Sequence, residues 1–201
     1  MTRLLAFFLL LCASSFANYC CDHVLIEGKL AYFRPNDSTI RDIYGSAWLN
    51  SQAEITTRVW GDCHNLSLYG SVNYLCNTGK SIDEACKTKI KILPVTAGLK
   101  YRACVKQTGR RLDLYAAGGP RYFFLWIDNK DPFVTRKVDK NGLGWVVEGG
   151  ALFFLTQCLC VDLFLDYSSK TFLLSGSNPL VQGHKVNVGG FSAGAGLGFQ
   201  F

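Results

Sequence analysis

Charged side chains recur at alternate positions along several apolar runs, and that spacing limits the chemistry open to them. Glu27 and Lys29 share one parity, as do Glu54 and Arg58, Lys100 and Arg102, and Asp162 and Asp166; Asp113 and Glu148 stand on the polar side of runs of their own. Residues at i and i+2 project from the same face of a β-strand. These side chains therefore share one enclosed space if the strands form one closed sheet. With Arg121 added, six carboxylates (Glu27, Glu54, Asp113, Glu148, Asp162, Asp166) meet five cations (Lys29, Arg58, Lys100, Arg102, Arg121). Enclosed charges are tolerable only when paired, so the near balance of sign predicts an ion-paired plug. The functional alternative is a narrow polar pore or a proton relay, and a selective pore would show an excess of one sign.

Other reactive side chains are not gathered by the sequence. His23 precedes the first alternating run, His64 falls in a turn, and His184 lies in a loop with Ser175 and Ser177 but no acid beside it. No nucleophile, base and acid are in place for acyl chemistry, so no catalytic residues are expected. Cys20, Cys21 and His23 lie close together, as do Cys63 and His64, but no CxxC pair occurs. Neither a metal site nor a cofactor is expected.

Eight alternating runs must position the charges. The first carries Val24, Ile26, Gly28, Leu30 and Tyr32 on its apolar side, and Pro35-Asn36-Asp37-Ser38 breaks it into a loop through Gly45. Leu49 to Val59 form the second, with Asn50, Gln52, Glu54, Thr56 and Arg58 opposite; Leu66 to Tyr74 form the third. A polar segment, 77–89, precedes the fourth, Val95 to Tyr101, where Pro94 marks a change of phase. The fifth runs from Leu112 to Trp126 and is interrupted by Gly118-Gly119-Pro120, an awkward place for a proline inside a sheet. After a charged loop, 128–142, come the sixth, Trp145 to Leu155, and the seventh, Leu159 to Tyr167. A loop rich in Ser, Gly and Asn, 168–185, leads to the last, Phe191 to Phe201, with Val186 and Val188 out of phase across Gly189-Gly190, as at a glycine bulge. Long connections follow the odd runs and tight turns follow the even ones, an asymmetry of transmembrane barrels.

The start of the chain reads as a secretory leader. Arg3, the apolar run Leu4 to Ala13 and the small-x-small triplet Ser15-Phe16-Ala17 predict a signal peptide over residues 1–17. Residues 18–201 are then a single domain. The chain is 49% hydrophobic with 20 glycines, yet no later run is long enough for a membrane helix, so any spans must be strands. The net charge of +6 is spread along the sequence, which gives nucleic-acid binding no support. Of nine cysteines only Cys12 falls in the leader, and an exported chain with eight more is expected to hold disulfides.

With its glycine-aromatic runs (Tyr115-Ala116-Ala117-Gly118-Gly119) and its terminal Phe199-Gln200-Phe201, the chain resembles the small eight-stranded outer-membrane barrels, the OmpA/OmpW-like outer membrane protein β-barrel domain group. The resemblance covers Val24 to Phe201. It implies an all-β, antiparallel, up-and-down barrel in a Gram-negative outer membrane, and it implies that Phe199 and Phe201 belong to the strand read by the barrel-insertion machinery. Expected partners are outer-membrane lipid and lipopolysaccharide, the latter met by Lys130, Arg136, Lys137 and Lys140. Group members include structural barrels, adhesins, solute channels and a few lipid-modifying enzymes, so the fold leaves function open. The expected role is structural or interactive, with a narrow channel for small or hydrophobic solutes as the alternative and a rim lipid-modifying enzyme behind it. Tyr32, Trp48, Trp60, Tyr101, Trp126, Trp145 and Tyr167 are expected in interfacial girdles. If the first run starts at the periplasmic side, Cys20, Cys21, Cys63, Cys104, Cys158 and Cys160 share that rim. Cys76 and Cys86 then flank an outer loop and are expected to pair. The other six allow 15 connectivities, or links to neighbouring envelope proteins.

Overall fold

Alternation of apolar with polar or small residues yields strands of period two, and here it closes them into a ring. The computed structural model describes residues 24–61, 64–80, 87–107, 110–129, 137–174 and 184–201. The expected leader and the cysteines Cys20, Cys21, Cys63 and Cys86 lie outside the described residues. Eight strands form one closed antiparallel barrel: β1 (Val24–Pro35), β2 (Trp48–Trp60), β3 (His64–Lys80), β4 (Lys87–Gln107), β5 (Arg110–Asn129), β6 (Lys137–Phe154), β7 (Leu159–Ser169) and, after a two-stranded hairpin of β8 (Thr171–Leu174) and β9 (His184–Asn187), β10 (Gly190–Gln200). Each barrel strand pairs with its sequence neighbour, β7 pairs with β10 past the hairpin, and β10 closes on β1 from Leu25↔Gln200 to Pro35↔Gly190.

The wall is taller on one side. β4 and β5 have 21 and 20 residues, β7 and β10 only 11 each. The expected polar segment at 77–89 and charged loop at 128–142 are strand in their described residues, 77–80, 87–89, 128–129 and 137–142. Only residues 81–86 separate β3 from β4, and only 130–136 separate β5 from β6. The sequence Lys87-Thr88-Lys89-Ile90-Lys91-Ile92 explains the extension: Thr88, Ile90 and Ile92 are buried inside while the lysines point out. Pro120 stays within β5, where the β4–β5 ladder skips from Thr96↔Arg121 to Leu99↔Gly118. Where a glycine bulge was expected, β9 and β10 are separated by residues 188–189, and Gly190 opens β10.

The loop expected after the first strand holds a helix, α1 (Ser38–Tyr44). One carboxylate fastens it. Asp37 accepts from the Thr39 and Ile40 amides as the N-cap, and its second oxygen accepts from Asn187 N at 2.9 Å, joining helix to hairpin. Asn187 in turn accepts from the Lys170 and Gly189 amides. These two lids cover an apolar mouth. Phe33, Trp48, Leu75, Ile90, Ile92, Phe123 and Leu125 point inward and pack with Ile40 and Tyr44 of α1 and with Phe172 and Val186 of the hairpin. Trp48 is therefore not in a girdle. It shares the parity of Asn50 and Gln52, is 3% exposed, and donates to Gly45 O at 2.8 Å. The other six girdle aromatics face outward. For Trp60 a register shift between Arg58 and Trp60 turns the side chain out.

Outward positions form an apolar belt. Ile26, Leu30, Leu49, Ile55, Leu68, Val72, Leu99, Leu114, Val147, Leu163, Leu165 and Leu197 are all exposed large hydrophobics. A soluble domain does not leave a continuous ring of this kind in water. On β4 the belt runs from Leu93 to Val105, a rise of about 30 Å at about 3.3 Å per residue and a tilt of about 40°. That matches the hydrocarbon core of a bilayer.

Candidate functional site: the charged lumen

Below the apolar mouth the inward positions become polar, and charged side chains meet across the lumen. The Lys29 ammonium from β1 lies 2.8 Å from Asp162 Oδ2, 2.9 Å from Glu148 Oε1, 3.0 Å from Glu54 Oε2 and 3.7 Å from Glu27 Oε1. Lys100 from β4 contacts Glu54 Oε1 closely and reaches Glu27 Oε2 at 3.3 Å. Five strands thus contribute to one ionic layer, and all six side chains have no exposed surface.

Aromatic and amide groups complete the layer. The Tyr115 hydroxyl lies 3.0 Å from Glu148 Oε1 and 2.9 Å from Asp162 Oδ2, donating its one proton between them, and its ring lies 4.2 Å beneath the Lys100 ammonium. Gln52 donates to Glu54 at 3.1 Å and to Glu148 at 3.4 Å, and is itself held by Asn73 at 2.8 Å. Volume is matched strand against strand. Tyr115 stands opposite Gly150, Tyr69 opposite Gly98, and Lys29 opposite Gly196. A Cβ at Gly150 would meet the Tyr115 ring at 2.8 Å, and one at Gly98 the Tyr69 ring at 2.7 Å. An eight-stranded barrel has an interior just wide enough for side chains, so each long inward residue needs a small one beside it.

The remaining expected charges form satellites. Asp166 is 3.7 Å from Arg121, accepts from Ser192 at 3.2 Å, and lies on the mouth side of the layer. On the turn side, Arg102 donates to Asn65 at 3.0 Å and Asp113 takes a two-bond contact from Arg111 at 3.2 and 3.1 Å. Arg58 has the inward parity and is half-buried near the turn-side end of β2. Tyr115, Gln52 and Arg111 are site residues that charge counting passed over. Tyr115 and Gln52 have the same parity as Asp113 and Glu54, and that parity was the available signal.

Cys76 carries a free thiol and lies within the β3 ladder opposite Lys91, and Cys86, its expected partner, lies outside the described residues. Cys158 is disulfide-bonded, and Cys160 is a buried free thiol facing Gly198. Among the described residues no group of His, Cys, Asp and Glu is arranged to hold a metal ion. His64 lies 3.0 Å from the Tyr101 hydroxyl on the exposed turn side, and His184 lies in β9.

An apolar outside, an ion-paired inside and closure of the last strand on the first define the class: an eight-stranded β-barrel of the outer-membrane type. Solved structures agree. The chain superposes on OprG of Pseudomonas aeruginosa with a TM-score of 0.66 at 18% identity, covering 90% of this chain and 96% of that one. Neisserial surface protein A gives 0.52 at 13% identity, covering 89% and 97%. Ail of Yersinia pestis, solved with the heparin analogue sucrose octasulfate, gives 0.52 at 15%, covering 88% and 98%. At these identities the likeness establishes the fold. No protein-family profile and no curated protein matches the chain.

Proposed function

We propose that the chain is a plugged structural and interaction barrel of a Gram-negative outer membrane, without enzymatic activity, whose lidded mouth faces the surroundings. The observation that carries this is the sealed ionic layer, in which six charged side chains meet with no exposed surface. A lumen closed by its own side chains leaves the exterior and the loops as the working surfaces. Lipid and lipopolysaccharide are then its constant neighbours, the insertion machinery its assembly partner, and its leader the route of export. The turn-side rim, where Cys158 is already disulfide-bonded, is the place proposed for links to neighbouring envelope proteins. Planar-bilayer recording tests the plug: the refolded chain should add no conductance steps. A steady open level from heat-modifiable, folded protein would overturn it.

A second reading, a narrow path for hydrophobic solutes, draws on the apolar lining of the mouth. Faster uptake of an apolar dye by liposomes carrying the protein, without ion conductance, would favour it over the first.

A further inference from the structure

The extended β4 carries lysine at three successive outward positions, Lys87, Lys89 and Lys91, all exposed, before its face turns apolar at Leu93. The register sets Lys89 opposite Asp128 and Lys91 opposite Trp126 on β5, and Asp128 opposite Lys137 on β6. The outward faces of these strands form a groove lined by Lys89, Lys91, Lys137 and Trp126, with Tyr74 at one edge. Asp128 and Asp139 also line it, yet none of the four lysines makes an ion pair with a carboxylate among the described residues. Three lysines meet two acids in the groove, and Lys87, beside it on the same face of β4, is a fourth cation, which leaves the patch positive.

Height decides what such a patch meets. Lys91 is two residues above the last apolar outward position of the belt, at the level where hydrocarbon gives way to headgroups. Trp126 and Phe124, stacked with centroids 6.0 Å apart, mark the same level on the next strand. A soluble partner would have to reach down to the bilayer surface to touch these lysines, whereas a lipid headgroup is already there.

We infer that the outward face of β4 to β6 is a docking site for the phosphates of an outer-leaflet glycolipid, with Lys89, Lys91 and Lys137 binding the anion, Lys87 flanking it, and Trp126 packing on the sugar or upper acyl chain. This rests on the membrane reading above and moves the lipid contact from the expected loop at 128–142 to the barrel wall, keeping Lys137 of the four cations first expected to meet it.

The test places the folded chain in phosphatidylcholine nanodiscs and titrates in bis-phosphorylated lipid A, counting bound lipid by native mass spectrometry. The variant K87Q/K89Q/K91Q/K137Q is expected to bind about tenfold more weakly or worse, while R34Q, on the far wall, binds like the parent. Lipid A stripped of phosphate is expected to bind as weakly to the parent as intact lipid A does to the variant. Unchanged affinity in the quadruple variant overturns the site. Equal retention of phosphatidylglycerol overturns the glycolipid assignment in favour of a general anionic surface. A chain that is folded but indifferent to lipid A defeats this inference alone, and one that never enters the discs defeats the membrane reading with it.

Discussion

Lys29 shows most directly how one side chain can hold the interior together. Its ammonium is within 3.0 Å of three carboxylates from three strands and lies 5.0 Å over the Phe164 ring. Taking it away leaves carboxylates facing each other without water, and breaking a buried ion pair by removing one partner costs about 3–5 kcal/mol. K29M should therefore lower the free energy of urea unfolding in detergent by about that much, and adding E148Q should return part of the loss by removing one orphaned charge. A double variant no better than the single would mean that Lys29 and Glu148 are not coupled. The parity of Glu27, Lys29, Glu54 and Asp162 was plain in the sequence, because i and i+2 fix a face. Their meeting was not, because Lys29 to Glu148 crosses the lumen between residues 119 apart in the chain, and that contact depends on the stagger of the closed sheet. Alternation within one strand says nothing of stagger between strands.

Among the elements, the mouth was the least legible part. Asn36-Asp37-Ser38 announces a break, but the helix that follows has seven residues, too short for a 3.6-residue period to stand out. The upper strands were hidden differently. Their alternation of lysine with Thr88, Ile90 and Ile92 is regular, but outside a membrane the outer face turns polar and the run looks like a loop. The inner face stays apolar there because it meets helix and hairpin instead of ions. Asp37 links those two lids, capping α1 with one oxygen and holding Asn187 N with the other. D37A removes a cap, an effect of about 1–2 kcal/mol on local stability, and frees the hairpin from the helix. Amide exchange in α1 and β9 should accelerate roughly tenfold while exchange in β1 and β10 stays unchanged. Faster exchange spread evenly around the barrel would contradict the view of the lids as separate from the wall.

At the scale of the whole molecule the arrangement is inverted relative to a water-soluble barrel, with ions enclosed and hydrocarbon displayed. Eight runs, their order and their outward face could be read from the sequence, because a period of two leaves only the choice of which face is inside, and charges at the same parity settle that choice. The uneven height of the wall could not, since it arises where the bilayer ends and the solvent rule changes along a single strand. Leu99 and Leu125 bring the two rules into one comparison. Leu99 points out midway along the belt of β4 and is 51% exposed, while Leu125 points into the mouth from β5 and is fully buried. In a bilayer, L99K places a charge near the midplane and should cost about 2–4 kcal/mol. L99A exchanges one apolar contact with lipid for a smaller one and should cost well under half of that. L125A opens a cavity in a packed core and should cost about 2–5 kcal/mol. Unfolding by denaturant from lipid vesicles measures all three. In a barrel bathed by water the first would be nearly neutral, since an exposed leucine replaced by lysine loses no burial. L99K therefore separates the two solvents: a value near zero alongside a full cost for L125A would mean that the belt does not face lipid.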